Sequence, residues 1–212
     1  MGIALEELDA LKKGERQPLD TPLSQKAPDR SPKLTLEKAD DIAAGRVFEL
    51  IDGRIVYKMA DAKHSRTQAR LCGKLVNYFE NNQIGQVFTE FTLRLWPENP
   101  HESRVPDLSI IFNENLAPQE RYAKRAPDIA VEIISQDDRW SDLFEKANLY
   151  FETGGREVWL VDPLQQGVLI MTRSARRWEW KELASPELLP GFCVALQDIF
   201  AWPVAAPLTA ST

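Results

Sequence analysis

Apolar and polar positions divide the chain into a patterned middle and two unpatterned ends. Within residues 1–35 no apolar period survives past Leu11. Pro18, Pro22, Pro28 and Pro32 are scattered among Ser, Asp, Lys and Arg, a composition that predicts a mobile tail over residues 1–35, after at most a short helix. Residues 203–212, PVAAPLTAST, read as a second tail. The periodicities of a folded domain fill 36–202. Residues 35–43 predict a short helix. Two β-rich runs, 47–51 and 54–59, are joined by Asp52-Gly53 and predict a hairpin with a two-residue turn. In that register Phe48, Leu50, Ile55 and Tyr57 share the core-facing side. Glu49 falls on the opposite side with Val47, Ile51 and Val56.

His64 opens a helix that ends near Asn81-Asn82, with Ala69, Leu71, Cys72, Leu75, Val76 and Phe79 at helical spacing. Strands follow at 86–96, where Val87, Thr89, Phe91, Leu93 and Leu95 share a side, and at 104–112. A loop or short helix through Arg121 leads to a strand at 128–135 that is rich in Ile and Val. Residues 137–153 predict a second amphipathic helix with a stripe of Trp140, Leu143, Phe144, Ala147, Tyr150 and Phe151, stopped by Gly154-Gly155. A strand at 157–161 ends on Asp162-Pro163, 168–172 and 177–182 pair as a hairpin, and 188–195 is a last extended piece. This order predicts an α/β fold, a mixed β-sheet flanked by helices with a β-hairpin on its N-terminal side. It lacks the regular βαβ alternation of a dinucleotide-binding fold.

Composition narrows the function. At 212 residues and 43% hydrophobic, the chain suffices for one domain with a real core. No apolar run approaches the roughly 20 residues that span a bilayer, and MGIALEELDALKKGERQ lacks the basic start and apolar stretch of a signal peptide. Cys72 and Cys193 are too few for a disulfide scaffold or a cysteine-ligated zinc site and fit buried, reduced thiols in the cytoplasm. His64 and His101 are the only histidines, so a metal would be held mainly by carboxylates, which favours Mg²⁺ or Mn²⁺. A net charge of −6 gives no global pull toward nucleic acid. Its distribution is uneven, though. Between residues 54 and 74 Arg54, Lys58, Lys63, Arg66, Arg70 and Lys74 face the single acid Asp61, and smaller clusters lie at Arg121, Lys124, Arg125 and at Arg173, Arg176, Arg177, Lys181. These are either solvated faces or local surfaces for a phosphate-bearing partner.

Two acids stand inside apolar strands: Asp107 in VPDLSIIF and Glu132 in IAVEII. An ionised carboxylate there must be paired, hydrogen-bonded or metal-bound, because uncompensated burial costs several kcal/mol. One such acid alone reads as a loop cap or an arginine partner. On neighbouring strands, facing side chains lie about 4.5–5.5 Å apart at Cβ, which suits two carboxylates sharing one divalent cation. Lys146 sits at the edge of its helix's apolar stripe, between Leu143 and Tyr150, with Asp142 and Glu145 further toward solvent. It either snorkels to water or reaches that cation site. Glu49 lies on a hairpin face for which exposure is the simpler reading. His64 begins a helix, where it is an ordinary first-turn residue or a metal, water or phosphate contact. The chain has no G-x-S-x-G, no P-loop lysine motif and no strand-linked G-x-G-x-x-G.

Read in order, FELIDGRIV, a histidine opening the next helix, VPDLSII, APDIAVEIIS, the D-x-x-x-K-x-x-x-Y of Asp142, Lys146 and Tyr150, and VWLVDP resemble the Uma-type family of restriction endonucleases, a branch of the PD-(D/E)XK nuclease superfamily. The resemblance spans about 36–200. It implies a restriction-endonuclease-like core and Mg²⁺-dependent phosphodiester hydrolysis. Asp107 of the Pro106-Asp107 pair and Glu132 match the metal-binding acids. Ile134 stands where the superfamily lysine is usual, and the resemblance assigns that role to Lys146 on the following helix. Glu49 and His64 match further active-site positions. Gln136 replaces a usual proline, which alters a loop and no ligand. The expectation is a metal-dependent endonuclease with Mg²⁺ or Mn²⁺ on Asp107 and Glu132 and Lys146 assisting, acting on nucleic acid, DNA foremost. A homodimer is implied as well, and the late hairpin carrying Trp178 and Trp180 fits it. The alternatives are a catalytically idle nuclease-fold protein that binds nucleic acid or serves as a dimeric interaction module, and a Mg²⁺-dependent phosphoester hydrolase of small substrates.

Overall fold

The computed structural model describes residues 32–116 and 121–202. The C-terminal tail predicted at 203–212, and all but the last four residues of the N-terminal one, lie outside the described residues. So does 117–120 of the predicted loop. The elements are α1 (Leu36–Ala43), β1 (Phe48–Ile51), β2 (Arg54–Tyr57), α2 (Ala62–Asn81), β3 (Gly85–Thr89), β4 (Leu108–Phe112), β5 (Ile129–Ile133), α3 (Trp140–Glu152), β6 (Glu157–Asp162), β7 (Gly167–Met171), β8 (Arg176–Glu179), β9 (Glu182–Ala184), β10 (Cys193–Ala195) and α4 (Leu196–Phe200).

Strands β3 to β8 form one sheet in chain order. All its neighbours are antiparallel except β5 and β6, which run parallel and are linked by α3 as the crossover that such a pair requires. Strands β4 to β7 are buried along their whole length, the reason for their unbroken apolar runs. On one face Leu108, Ile110, Ile129, Val131 and Trp159 pack against Leu71, Leu75 and Phe79 of α2. On the other, Ala130, Val158, Leu160 and Met171 pack against Leu143, Ala147 and Phe151 of α3. Strand alternation therefore turns Glu132 toward α3.

The hairpin forms as its turn residues demand. Asp52 (φ 51°) and Gly53 (φ 76°) both take left-handed backbone, and a Cβ on residue 53 would fall 2.5 Å from that of Lys33. Phe48 pairs with Tyr57 and Leu50 with Ile55, and this side packs on Leu36, Ala39 and Ala43 of α1 as expected. The opposite side is mixed. Ile51 and Val56 are exposed, whereas Glu49 is only 7% exposed, which corrects its reading as a solvent-facing residue.

Other boundaries moved for local reasons. The strand expected over 86–96 stops at Thr89, because Glu90 adopts left-handed backbone (φ 50°) and Leu93 then makes only isolated bridges to Arg104 and Ala123. The strand expected from 104 begins at Leu108, after Pro106, which has no N–H to give a ladder. The last extended piece is β10 followed by the helix α4, which the pattern did not predict. Ala69 and Val76 of the expected α2 stripe are exposed, with Thr67 and Tyr78 buried instead. Cys72 is half-buried and Cys193 exposed, so the expectation of two buried thiols fails at Cys193.

Candidate active site

At one end of the sheet three separate parts of the chain converge on two carboxylates. Leu108 pairs with Val131 across β4 and β5; Asp107 immediately precedes β4 and Glu132 follows Val131, so the end of this ladder brings the two acids together. The hairpin grips the approach to Asp107. Val105 donates its N–H to Glu49 Oε1 at 2.8 Å, and its carbonyl accepts from Lys58 Nζ at 2.8 Å, so both backbone groups two residues before Asp107 are fixed by side chains. At the start of α2, Asp61 accepts the His64 N–H at 2.8 Å as an N-cap. The ring Nε2 of His64 then lies 3.2 Å from Asp107 Oδ2. One turn on, Gln68 donates to the Asp107 carbonyl at 3.0 Å.

Helix α3 completes the cluster. Lys146 and Tyr150, four residues apart, share one helix face. Lys146 Nζ reaches Glu132 Oε2 at 2.9 Å and Glu49 Oε1 at 2.8 Å, while the Tyr150 hydroxyl donates to Glu132 Oε1 at 2.7 Å. Asp107 accepts from Lys58 Nζ at 2.5 Å and from the Ile133 N–H at 2.6 Å, and Lys58 Nζ stands 3.9 Å from Glu132 Oε2. The cluster floors a cleft of about 500 Å³ whose outer wall carries Asp137, Asp138, Asp142 and Glu145.

All five residues singled out from the sequence, Glu49, His64, Asp107, Glu132 and Lys146, thus meet in one place. Lys146 points inward rather than snorkelling. Two members were missed. Tyr150 reads in the sequence as a member of an apolar helix stripe and of the D-x-x-x-K-x-x-x-Y motif, with no role of its own. Lys58 was counted in a basic cluster, although the hairpin register itself places it on the Glu49 side, two residues beyond Val56, the cross-strand partner of Glu49. That basic cluster is largely engaged elsewhere: Arg66 and Arg70 donate to the Ala201 carbonyl, and Lys74 pairs with Asp198 on α4.

For Glu49, His64, Asp107, Glu132, Lys146 and Tyr150 burial is the largest influence, and the neighbours decide which way each moves. For Asp107 burial is overcome by the His64 hydrogen bond and the Lys58 ammonium, leaving its pKa well below the carboxylate range. Glu49 is likewise lowered, by Lys146 and Lys58. Glu132 goes up: burial, with the charges of Asp107 and Glu49 added, outweighs both lysines. Lys146 is raised by its two glutamates against burial, and His64 by Asp107 against burial. Burial and the charge of Glu132 push Tyr150 far above its ordinary value.

Among the described residues, no group of three or more His, Cys, Asp or Glu side chains is gathered closely enough to hold a metal ion. What the site does supply is a converging pair of buried carboxylates, oxygen donors of the kind that Mg²⁺ and Mn²⁺ take together with water and substrate oxygens. Two lysines already bring positive charge to this spot. The donor set fits a hard divalent cation.

Residues 34–199 match the family Uma2, described as "Putative restriction endonuclease". The chain belongs to the Uma2 family. Among curated proteins nothing matches. The chain is similar in structure to a putative nuclease belonging to DUF820 from Anabaena variabilis, with a TM-score of 0.66 and 21% identity, over 80% of this chain and 98% of that one. The restriction-endonuclease-like α/β fold read from the sequence is therefore the fold observed, and Uma2 membership supports a nuclease role. No helix among the described residues of this Uma2 protein is long and apolar enough to cross a membrane.

Proposed function

We propose that this Uma2 protein is a metal-dependent endonuclease that hydrolyses phosphodiester bonds in nucleic acid, DNA foremost, with Mg²⁺ or Mn²⁺ held by Asp107 and Glu132. The observation that carries the reading is the convergence of these two buried carboxylates, both within 3.9 Å of the Lys58 ammonium, in one cleft. A divalent cation bound there supplies positive charge for the phosphate and brings the pKa of water toward neutrality. The chain's own groups do the positioning. His64 and the Ile133 N–H fix the orientation of Asp107, while Tyr150 and Lys146 fix that of Glu132. Glu49 holds Lys146 and the Val105 backbone in place together. Lys146 adds a cation that steadies water or developing phosphate charge.

The proposal extends to a cytoplasmic homodimer. Two free thiols accord with the first. The second is supported by the sheet-edge strand β8 and the neighbouring Trp180, which is 45% exposed. One observation favours the idle alternative: the ammonium groups of Lys58 and Lys146 between them already reach all three carboxylates, Asp107, Glu132 and Glu49. Nicking of supercoiled plasmid at low salt, with Mg²⁺ or Mn²⁺ and wild type beside Asp107→Asn, decides between them. Metal-dependent cleavage by wild type alone is the expected result. Equal cleavage by the variant refutes the ligand assignment, and no cleavage by wild type on DNA or RNA favours the idle reading.

A further inference from the structure

The two half-buried lysines hold different positions. Lys146 bonds Glu132 and Glu49 from the α3 side. Lys58 lies on the cleft wall with its ammonium 2.5 Å from Asp107 Oδ1 and 3.9 Å from Glu132 Oε2, bridging the two carboxylates. The ammonium also donates to a neutral group, the Val105 carbonyl. It follows directly after β2 and is the more exposed of the pair, 21% against 15%.

We propose that the Lys58 ammonium is the resident occupant of the cation position, and that it must leave Asp107 for a divalent cation to bind, so that Lys58 sets the metal affinity of the site. This rests on the metal-dependent reading above. A divalent cation brought onto Asp107 would stand beside the Lys58 ammonium, and like charges that close repel more strongly in a partly buried cleft than in water, so the ion is bound more favourably once Lys58 has moved away. Lys146 keeps its ion pair with Glu49 even where Glu132 gives an oxygen to the metal, so the group displaced is Lys58.

Calorimetric titration of the full chain with MnCl₂ tests this, using wild type, Lys58→Gln, Lys63→Gln and Asp107→Asn. Lys63 is exposed at the start of α2 and controls for the loss of one positive charge. Lys58→Gln is expected to bind Mn²⁺ about tenfold more tightly than wild type, the worth of one charge-assisted hydrogen bond no longer broken on binding. Lys63→Gln should match wild type, and Asp107→Asn should abolish the site. Equal or weaker binding by Lys58→Gln, with wild-type binding still dependent on Asp107, overturns the role of Lys58 and leaves the metal reading standing. Absence of Asp107-dependent binding in both overturns the two together. Thermal melting gives a second readout. Mn²⁺ should raise the melting temperature of Lys58→Gln by more than that of wild type, and an equal or smaller rise counts against the exchange.

Discussion

A buried carboxylate stands at each end of strand β5, Asp128 immediately before it and Glu132 near its close, and the two are treated in opposite ways. At its start Asp128, 1% exposed, accepts the Phe112 N–H and the Asn115 side-chain amide, each at 2.8 Å, with Arg125 at 3.7 Å. Its carbonyl takes the N–H groups of Arg156 and Glu157, so it ties β4, β5 and β6 together through mostly neutral, backbone-anchored donors. Near the other end Glu132, 4% exposed, meets the ammonium of Lys146 and the hydroxyl of Tyr150, with Lys58, Asp107 and Glu49 around it. Burial of an acid is common to both ends. What sets the Glu132 end apart is that two ammonium groups, Lys146 on α3 and Lys58 just after β2, stand beside its carboxylate together with the Tyr150 hydroxyl. A carboxylate satisfied by backbone holds a fold together; one balanced by movable charges can exchange them for a ligand.

Substitutions should separate the two ends. The largest effect is expected on cleavage: Asp107→Asn or Glu132→Gln loses roughly a thousandfold in plasmid nicking, the several kcal/mol a bound cation contributes, with the far-ultraviolet circular dichroism retained. Next comes Lys146→Met, which strips Glu49 and Glu132 of a shared buried partner and should lower unfolding stability by about 3 kcal/mol in urea titration without metal. Asp128→Ala leaves the Phe112 N–H unpaired inside the sheet and should cost about 2 kcal/mol, with little change in cleavage per folded molecule. The smallest change is Tyr150→Phe, about 1 kcal/mol in the same titration, since Glu132 Oε1 loses a single hydroxyl donor.

Much of this was legible in the chain because local rules and the tertiary fold agree. Asp52-Gly53 fixed the hairpin register, and the Glu132 strand reads as apolar because both sheet faces are covered. The spacing of Lys146 and Tyr150 placed both on one helix face. Illegible features depended on contacts distant in sequence. Glu49 is buried because Val105, 56 residues away, packs its N–H against it. The break after Thr89 follows from left-handed backbone at Glu90, a residue with no turn signature of its own. Lys58 was visible by strand parity, yet its net charge placed it among surface bases. The contrast between Asp128 and Glu132 was beyond pattern alone, since both are acids at the ends of one apolar run.

The central claim, that the Glu132 end of β5 performs the chemistry while the Asp128 end holds the fold, reduces to one assay. Mn²⁺-dependent nicking of supercoiled plasmid is compared for wild type, Glu132→Gln and Asp128→Asn, each normalised to its folded fraction. The account predicts loss of cleavage in Glu132→Gln and a wild-type rate in Asp128→Asn. Cleavage retained by Glu132→Gln would contradict it.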